Sequence, residues 1–387
     1  MNGTFLLMRK NLLLVLLSAY LFGCSDKYSD KTLNLDEVEE IELSSITSDI
    51  KITPIKCSFP MDGIYRMNEY GKYIFLSGIS NRIIYCLNED SVISVLNAVG
   101  RGYGEYSRIN DFTYDENTKI LYVNADNKIF KYSVPSMSFI ESVDIAFSTD
   151  GMIALNSDEL LVNCAFYEDE SYKNVYRGIC VVSTIDGSIK KRCHEMDYYN
   201  EFCFLTRDLS RDGKEILLSL GGVYENKIIA IDESTFSSRD LDSFGFSSKW
   251  RTPKNLIRIL RKNTKEFKGK YRELPTYCKG CHYPATINTK LSYWCFPKEN
   301  NSSREIAVIR DGEKAYCRSF YIPGTNIKVS PDYVKGNRCV AIIEGTKESI
   351  IDESNKISDL GQYIYNAMDA QPFNNPVLLS FTIDKDL

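Results

Sequence analysis

A strand, turn and strand pattern recurs in this sequence and decides its fold. Its three clearest copies read YIFLSGISNRIIY (residues 73–85), ILYVNADNKIFK (residues 120–131) and ILLSLGGVYENKIIA (residues 216–230). In each copy an apolar strand is followed, after a short turn, by a second strand that opens with Asn and a basic residue, as in a hairpin with a polar turn exit. Near-copies of one hairpin predict a repeat architecture, whereas a β-sandwich does not require them.

Three less regular copies bring the number of units to six. They pair residues 160–162 with 178–181, residues 293–296 with 305–308, and residues 339–342 with a final hairpin partner. The chain otherwise shows short alternating strands between turn-forming residues and almost no helical periodicity. Because hairpins repeated around an axis leave only short edges, the sequence predicts an all-β, six-bladed β-propeller.

Ring closure and one insertion complete the predicted propeller domain, which spans residues 36–387. Residues 50–55 alternate in hydrophobicity, and we expect them to complete the last blade beside residues 375–381. An insertion from about residue 246 to 283 holds the one convincing amphipathic helix, predicted over residues 253–267. We expect this short helical insertion to pack over one face of the propeller.

The N-terminal residues predict export and lipidation. Basic residues precede an unbroken apolar run, which residues 21–24 (LFGC) end at a cysteine, as in a lipobox. Residues 1–23 are therefore predicted to be a lipoprotein signal peptide, Cys24 the lipidation site and residues 24–35 a flexible leash. The apolar run is shorter than the ~20 residues of a bilayer-spanning helix.

This N-terminus also predicts where the protein is located. The membrane is an expected partner through the N-terminal lipid, and the folded part is expected in the cell envelope, outside the cytoplasm. The outer membrane or cell surface is favoured over the inner membrane.

Composition limits the classes of function. Lys and Arg number 47 against 52 Asp and Glu, so the net charge of -5 gives no general attraction to nucleic acid, and no such partner is expected. Only 2 His accompany 12 Cys, which limits metal and acid–base chemistry at neutral pH. Neither a metal site nor a cofactor is predicted. With Cys24 lipidated, the remaining thiols are odd in number and cannot all pair within the chain.

One cysteine pair has the spacing of a haem attachment motif. Cys278, Cys281 and His282 match C-x-x-C-H, in which two thiols bond the haem vinyl groups and the histidine ligates iron. Such a motif opens a compact helical domain, whereas the flanking residues here indicate loop and strand. A local disulfide or two free thiols in a loop is therefore the favoured interpretation of Cys278 and Cys281. Zinc would need two further ligands, which no neighbouring motif supplies.

The densest motif of the chain is GRGYGEY (residues 100–106), which a strand containing Asp111 and Phe112 follows. A dinucleotide phosphate cradle needs a different glycine spacing and a helix after the loop. The motif is therefore interpreted as a blade-to-blade loop in which several glycines adopt positive φ.

With these motifs the chain resembles the exported six-bladed β-propeller lipoproteins of Gram-negative bacteria, which are similar to NHL-repeat and TolB-like propellers. The shared features are the segment at 100–106, the Asp-Phe strand at 111–112, the Asn-Lys-Ile hairpin at 127–129 and the Asn-Pro-Val-Leu ending at 375–378. The resemblance implies the six-bladed fold and the lipoprotein state, and it implies little about function. Tyr103 stands where the family usually has proline.

Two classes of function fit such a propeller. As a binding module, it would use Arg101, Glu105, Tyr106 and Asp111 to offer one cation, two carboxylates and a phenol to an oligosaccharide, a peptide or another envelope protein. The alternative is a propeller-type lyase or hydrolase with its active site at the central axis. No H-E-x-x-H or G-x-S-x-G motif is present, and histidine is scarce, so binding is favoured over catalysis. Paired carboxylates leave no linear trace, so glycosidase chemistry remains open and no catalytic residue is assigned.

Overall fold

The computed structural model of the protein describes residues 31–384, except 148, 150, 165–177, 197–200, 203–208, 223–224, 254, 257–258, 260–265, 267–268, 271–272, 300–301, 353–355 and 372. Within these residues, β-strands dominate and form six sheets.

The strands follow one another along the chain with few helices between them. The elements before the first consecutive sheet are β1 (Thr32–Leu33), β2 (Glu39–Glu42), the short helix η1 (Leu43–Ser45) and β3 (Thr47–Pro54). The next three sheets are built from β4 (Ile64–Tyr70), β5 (Tyr73–Gly78), β6 (Ile84–Asn88), β7 (Ser91–Leu96), β8 (Ile109–Asp115), β9 (Ile120–Ala125), β10 (Lys128–Ser133), β11 (Ser138–Asp144), β12 (Gly151–Ala154), β13 (Glu159–Asn163), β14 (Gly178–Ser183) and β15 (Ile189–Glu195).

The second half of the chain supplies the remaining sheets. Its strands are β16 (Glu201–Phe202), β17 (Leu209–Asp212), β18 (Glu215–Gly222), β19 (Asn226–Asp232), β20 (Ser238–Phe246), β21 (Thr276–Ile287), β22 (Lys290–Glu299), β23 (Ser302–Ser303), β24 (Ile306–Asp311), β25 (Lys314–Tyr321), β26 (Lys328–Val329), β27 (Tyr333–Lys335), β28 (Arg338–Ile343) and β29 (Val377–Ile383). Two helices, α1 (Lys347–Ile350) and α2 (Asp359–Asp369), lie between β28 and β29.

Each sheet is a blade built on four neighbouring strands. Blades 1 to 3 are β4–β7, β8–β11 and β12–β15, blade 4 contains β17–β20, blade 5 contains β21, β22, β24 and β25, and blade 6 contains β27–β29 and β3. The first strands of successive blades contact one another, as β8 contacts β12 and β21 contacts β27, so these inner strands surround a common axis. The predicted six-bladed propeller is confirmed. The three clearest hairpins of the sequence are the second and third strands of blades 1, 2 and 4.

The ring closes by pairing the two ends of the chain. Strand β3 lies antiparallel to β29, with Ile52 opposite Leu379, and so forms the outermost strand of blade 6. The alternation of residues 50–55 predicts this closing strand, and the sequence also predicts that it lies beside residues 375–381. Because the fourth strand of the last blade comes from the N-terminal side, opening the ring requires both ends of the chain to separate.

Residues 31–46, called here the N-terminal belt, run along the outside of two blades. Strand β1 pairs in parallel with β20 of blade 4, and β2 pairs in parallel with β25 of blade 5. Leu33 and Leu35 are buried and share an apolar cluster with Phe244 and Trp250. The belt thus covers the outer edges of blades 4 and 5, edges that would otherwise be open to strand pairing.

Because the belt is part of the fold, the folded part of the chain begins before the predicted boundary at residue 36. Leu33 and Leu35 alternate with polar Thr32 and Asn34, so one side of this short segment is apolar and packs against the sheet. The last residues of the predicted leash therefore belong to the propeller.

The core lies between blades because neighbouring blades cover both faces of the middle strands. Strand β14 is buried at every position, as a near-continuous apolar strand requires. Aromatic side chains fill the space between blades 1 and 2, where the ring of Phe75 lies 5.2 Å from that of Tyr114 and 6.4 Å from that of Phe112. Several of the many tyrosines are thus packing residues of the blade interfaces.

Helices are confined to the connections between strands. The sequence did not predict α2, whose first turn is capped by the Ser358 side chain accepting from Gly361 N at 3.2 Å, and which buries Ile364 and Met368. The helix predicted over residues 253–267 lies mostly outside the described residues. In the described part of the chain, no helix is long and apolar enough to cross a membrane.

The insertion is shorter than predicted. Strand β20 ends at Phe246 and β21 begins at Thr276, so residues 276–283 belong to the inner strand of blade 5. Leu256, on the insertion, is buried against Tyr277 at the start of this strand.

Candidate functional site at the propeller axis

The loop at residues 100–106 joins blade 1 to blade 2 and is held by its own hydrogen bonds. The carboxylate of Glu105 accepts from Gly102 N at 2.7 Å, and Gly100 N donates to Tyr106 O at 3.0 Å. The Glu105 carboxylate occupies the space that a side chain at Gly100 would need. Glu105 therefore shapes the loop, while Arg101 is exposed beside it.

Two further contacts fix this loop against blade 2. Gly104 has a φ of 75°, and a Cβ atom there would lie 2.6 Å from the ring of Phe139. Tyr132 donates its hydroxyl hydrogen to Gly104 O at 2.9 Å. Positive φ was predicted at several glycines of this motif, but of its three glycines only Gly104 adopts it. The close approach to an aromatic ring also requires glycine at this position.

Tyr106 is a core residue of the interface between blades 1 and 2. Its side chain is fully buried, and its hydroxyl donates to Arg82 O at 2.9 Å. Burial raises the pKa of Tyr106 to about 12. Tyr106 was predicted as a ligand-binding residue, but in the structure its phenol donates to the protein's own backbone.

Asp111 is the centre of a buried ionic contact that joins three blades. It forms an ion pair with Arg66 of blade 1, and both side chains are almost fully buried. Its carboxylate also accepts from Phe112 N and, across to blade 3, from Met152 N, each at 2.7 Å. The guanidinium of Arg66 lies over the Phe112 ring at 5.1 Å. Asp111 thus connects the inner strands rather than facing solvent.

The four residues predicted as one ligand site therefore separate in the structure. Arg101 and Glu105 lie on an exposed loop, whereas Tyr106 and Asp111 are buried in the blade packing. No common surface is formed by all four of them.

A cavity of about 480 Å³ instead lies on the axis of the propeller. It is lined by residues from all six blades, namely Arg66, Met67, Asn68, Glu69, Tyr70, Glu116, Ile153, Leu209, Ser210, Arg211, Asp212, Gly213, Tyr283, Asp332, Tyr333, Val334, Lys335 and Gly336. Glu116, Gly213 and Gly336 lie in turns between the first and second strands of their blades, so the cavity opens at that end of the axis. This cavity is called the axial cavity below.

Hydrogen bonds around the axial cavity join blade 1 to its neighbours on both sides. The Tyr333 hydroxyl of blade 6 donates to Glu69 O of blade 1 at 3.1 Å. On the other side, the Tyr70 hydroxyl of blade 1 lies 3.0 Å from Thr113 Oγ1 of blade 2, and that oxygen accepts from Ala154 N of blade 3 at 3.1 Å.

A circle of hydrogen bonds around the axial cavity is completed through the other blades. Arg211 of blade 4 donates from Nη2 to the carbonyl oxygen of Ala154 at 3.0 Å. The carboxylate of Asp212 accepts from Thr286 N of blade 5 at 3.0 Å, and the turn of blade 5 donates to the turn of blade 6 through Asn288 N and Asn337 Oδ1 at 2.9 Å. The rim of the axial cavity is thus linked from each blade to the next by hydrogen bonds within the protein.

The charged groups of the axial cavity divide into two kinds. Glu69 forms an ion pair with Arg338, Arg211 pairs with Glu233, and Asp332 accepts from Ile342 N at 2.9 Å, so these groups serve the scaffold. Glu116 and Lys335 are exposed and have no hydrogen-bond or ion-pair partner among the described residues. These two side chains are the charges that a ligand can engage without breaking a contact within the protein.

The two histidines lie away from the lining of the axial cavity. His194 is on β15, the outer strand of blade 3, where its Nδ1 lies 3.2 Å from Ser238 Oγ. His282 is buried in blade 5, with its ring centroid 5.3 Å from that of Phe296. Among the described residues, no group of three or more His, Cys, Asp or Glu has the arrangement of a metal site.

The C-x-x-C-H segment lies within β21 and not in a loop. Cys278 is opposite Pro297 and Cys281 is opposite Cys295, so β21 has one extra residue between them, at a bulge where Gly280 has a φ of 138°. Because of this bulge, both thiols point to the same side of the strand and lie in one buried cluster with Cys295.

A haem group does not fit this arrangement. Residues next to each other on a strand point to opposite faces, and His282 contacts Phe296 on the side away from the Cys281 cluster. Thioether bonds from both thiols and an iron bond from the histidine need all three side chains on one side.

Comparison with known proteins agrees with this architecture. A family model described as a 6-bladed beta-propeller matches residues 24–274. The chain belongs to this family of 6-bladed β-propellers. The matched segment begins at Cys24 and covers blades 1 to 4 of the propeller. A comparison with curated proteins gives no match.

A solved structure of low sequence identity shares the fold. A crystal structure of a protein described as exported, from Bacteroides fragilis, matches with a TM-score of 0.68 and 14% identity, and the match covers 92% of this chain and 99% of that chain. BamB from Moraxella catarrhalis matches with a TM-score of 0.38 and 10% identity, covering 87% of this chain and 99% of that chain. The likeness to the Bacteroides fragilis protein shows the fold alone, and nothing about this chain is argued from the BamB match.

The residues that line the axial cavity could not be identified from the sequence, because they are dispersed over the whole chain. The lining residues lie on the first strand of each blade or next to it, and the repeated hairpins that predict the fold are the second and third strands. One signal was available: polar residues such as Asn68, Glu69 and Arg211 interrupt the strands just before each hairpin, where a buried strand would be apolar.

Proposed function

We propose that this propeller is a lipid-anchored, extracytoplasmic binding module that holds an oligosaccharide or a peptide in the axial cavity. The axial cavity carries this proposal, because it is large enough for a small polar ligand and is lined by every blade. Tyr70, Tyr283 and Tyr333 supply aromatic surface, and Glu116 and Lys335 supply charges of opposite sign at the mouth.

The chemistry of the lining favours ligands with both apolar faces and polar groups. Sugar rings pack on aromatic faces while their hydroxyls bond to charged side chains, and peptides present the same combination. Because most rim carboxylates are engaged by the scaffold, the arrangement supports binding more than catalysis.

The anchor and the location rest on the N-terminal sequence. The lipobox ending at Cys24, the family match that begins at the same residue and the exported protein of similar fold all support an extracytoplasmic propeller. Labelling cells with a radioactive fatty acid tests the anchor: the wild-type protein should be labelled, and the Cys24→Ala variant should not be. An unlabelled wild-type protein would remove the anchor and leave the cavity proposal standing.

Binding is tested by screening glycan and peptide arrays with the wild-type protein and measuring affinity for each hit by calorimetry. Loss of a charged hydrogen bond costs about 1.5–3 kcal/mol, so Lys335→Ala and Glu116→Ala should each weaken binding by roughly 10- to 100-fold. Lys51→Ala is the matched control, since Lys51 is exposed on β3, the outermost strand of blade 6.

The comparison of variants decides whether the axial cavity is the site. Equal affinities for all variants would place the ligand elsewhere on the propeller. The recovered ligand is also analysed chemically after incubation, because a cleaved ligand would indicate the lyase or hydrolase alternative.

A further inference from the structure

Blade 3 contains two cysteines whose thiols face each other. Cys164 directly follows β13, and its backbone N donates to Gly178 O at 2.8 Å, which extends the β13–β14 pairing by one residue. On β14, Cys180 is opposite Val162, which is two residues before Cys164 and therefore on the same face. The two Sγ atoms are 3.1 Å apart.

This separation is intermediate between a covalent bond and an ordinary contact of two thiols. A disulfide has a sulfur separation of about 2.05 Å, so a shift of about 1 Å closes the gap. Both thiols are fully buried in the apolar cluster of blades 1 to 3, where a shift of the side chains exposes nothing to solvent.

We propose that Cys164 and Cys180 form a disulfide bond in the exported protein. The proposal rests on the extracytoplasmic location proposed above, because disulfides form and persist in such compartments. The bond would join the two middle strands of blade 3 and close the chain between them into a loop.

The chemistry is a thiol–disulfide exchange with a disulfide-bearing oxidoreductase of the envelope. The Cys164 thiolate attacks one sulfur of the oxidant and displaces its other sulfur as a thiolate. The Cys180 thiolate then attacks Cys164 Sγ, which releases the second sulfur. The two cysteines lose two protons and two electrons, and the oxidant is reduced to two thiols.

The timing of this reaction follows from burial. Burial raises the pKa of the Cys164 thiol well above its ordinary value, so little reactive thiolate forms in the folded blade. The exchange therefore takes place while blade 3 is folding, and the finished bond is protected from reductants in solution.

The test is peptide mapping of the full-length protein purified from cell envelopes. The protein is denatured in excess iodoacetamide without reductant and digested with trypsin. Because Lys173 and Arg177 lie between the two cysteines, cleavage places them on separate peptides, residues 132–173 and 178–190, each with one cysteine. The expected product is one species with the mass of both peptides less two hydrogen atoms, which separates on reduction.

Two sets of variants control the experiment. In Cys164→Ala the peptide at residues 178–190 should be recovered alkylated, whereas Cys86→Ala and Cys339→Ala, which remove buried thiols of other blades, should leave the linked species unchanged. A reductant added during unfolding should lower the melting temperature of the wild-type protein and leave that of the Cys164→Ala/Cys180→Ala variant unchanged.

Recovery of both peptides alkylated from unreduced wild-type protein would overturn the proposal, as would a link from either cysteine to a third one. If the fatty-acid label shows an anchored, exported protein and the peptides are still unlinked, the disulfide fails while the proposed function stands.

Discussion

Replacing Asp111 with alanine is expected to lower the free energy of unfolding by about 3–5 kcal/mol. The carboxylate is only 1% exposed and pairs with Arg66, which is 7% exposed, so its removal leaves a buried guanidinium without its counter-charge. Two backbone N–H groups, those of Phe112 and Met152, lose their acceptor in the same step. Breaking a buried pair from one side is more damaging than losing an exposed one because the remaining charge stays desolvated.

The assay is chemical denaturation followed by the fluorescence of Trp250 and Trp294, both of which are buried in the folded protein. The matched control is Asp144→Ala in the same blade, where an exposed carboxylate pairs with Lys128 at 3.1 Å and should contribute at most about 1 kcal/mol. Equal losses for Asp111→Ala and Asp144→Ala would refute the role assigned to the buried pair. An apolar replacement of both members, Arg66→Met with Asp111→Leu, should recover the part of the loss that comes from the unpaired guanidinium, while Phe112 N and Met152 N still lack their acceptor.

Three further predictions concern other parts of the propeller. Gly104→Ala should destabilise the protein by about 1–3 kcal/mol, because Gly104 has positive φ and an added Cβ would collide with the Phe139 ring. The loss should exceed that of Gly312→Ala, whose added Cβ meets no atom within 4 Å, and thermal unfolding of both variants gives the comparison. Leu35→Ala should cost about 2–5 kcal/mol in a denaturant titration if the belt is part of the core, and a change near zero would return this segment to the leash. Hydrogen bonds, the largest from Ser234, lower the pKa of Asp232 to about 2. The ionised Asp232 carboxylate therefore stabilises the fold fully above the unfolded pKa of about 4, and this stabilisation is lost as pH falls toward 2. Asp232→Asn should accordingly unfold more easily than wild type at pH 7 and equally easily at pH 2, as followed by circular dichroism, and a difference that persists at pH 2 would contradict this.

The elements that could be predicted from the sequence are those whose physics is local. A hairpin carries its own turn residues and alternation, so the second and third strands of blades 1, 2 and 4 were visible as near-copies. The closing strand was visible for the same reason, because residues 50–55 alternate regularly. Helix α2 had a local signal as well, in Ser358 followed by Leu360, Ile364 and Met368 on one face, and the strength of the strand pattern around it obscured that signal.

The site depended on contacts that no local pattern records. Asp111 and Glu105 have the same charge and lie in the same motif region, yet the partner of Asp111 is Arg66 of the preceding blade, while Glu105 bonds to its own loop. The spacing of Cys278 and Cys281 indicates a motif, and the bulge at Gly280 that determines where the thiols point becomes apparent only from the pairing with β22. A cavity lined by six blades is a property of the closed ring and has no counterpart in any one segment.

The N-terminal belt determines how this molecule responds to a pull. A force applied to the chain ahead of Thr32 acts first on β1, which pairs with β20 through only two residues, and next on β2, which pairs with β25 through four. Only after both have detached does the force reach β3, whose longer pairing with β29 closes the ring. Tension from the N-terminal side is therefore released in steps at the outer edges of blades 4 and 5. A force that detaches only the belt leaves the axial cavity and its circle of hydrogen bonds in place.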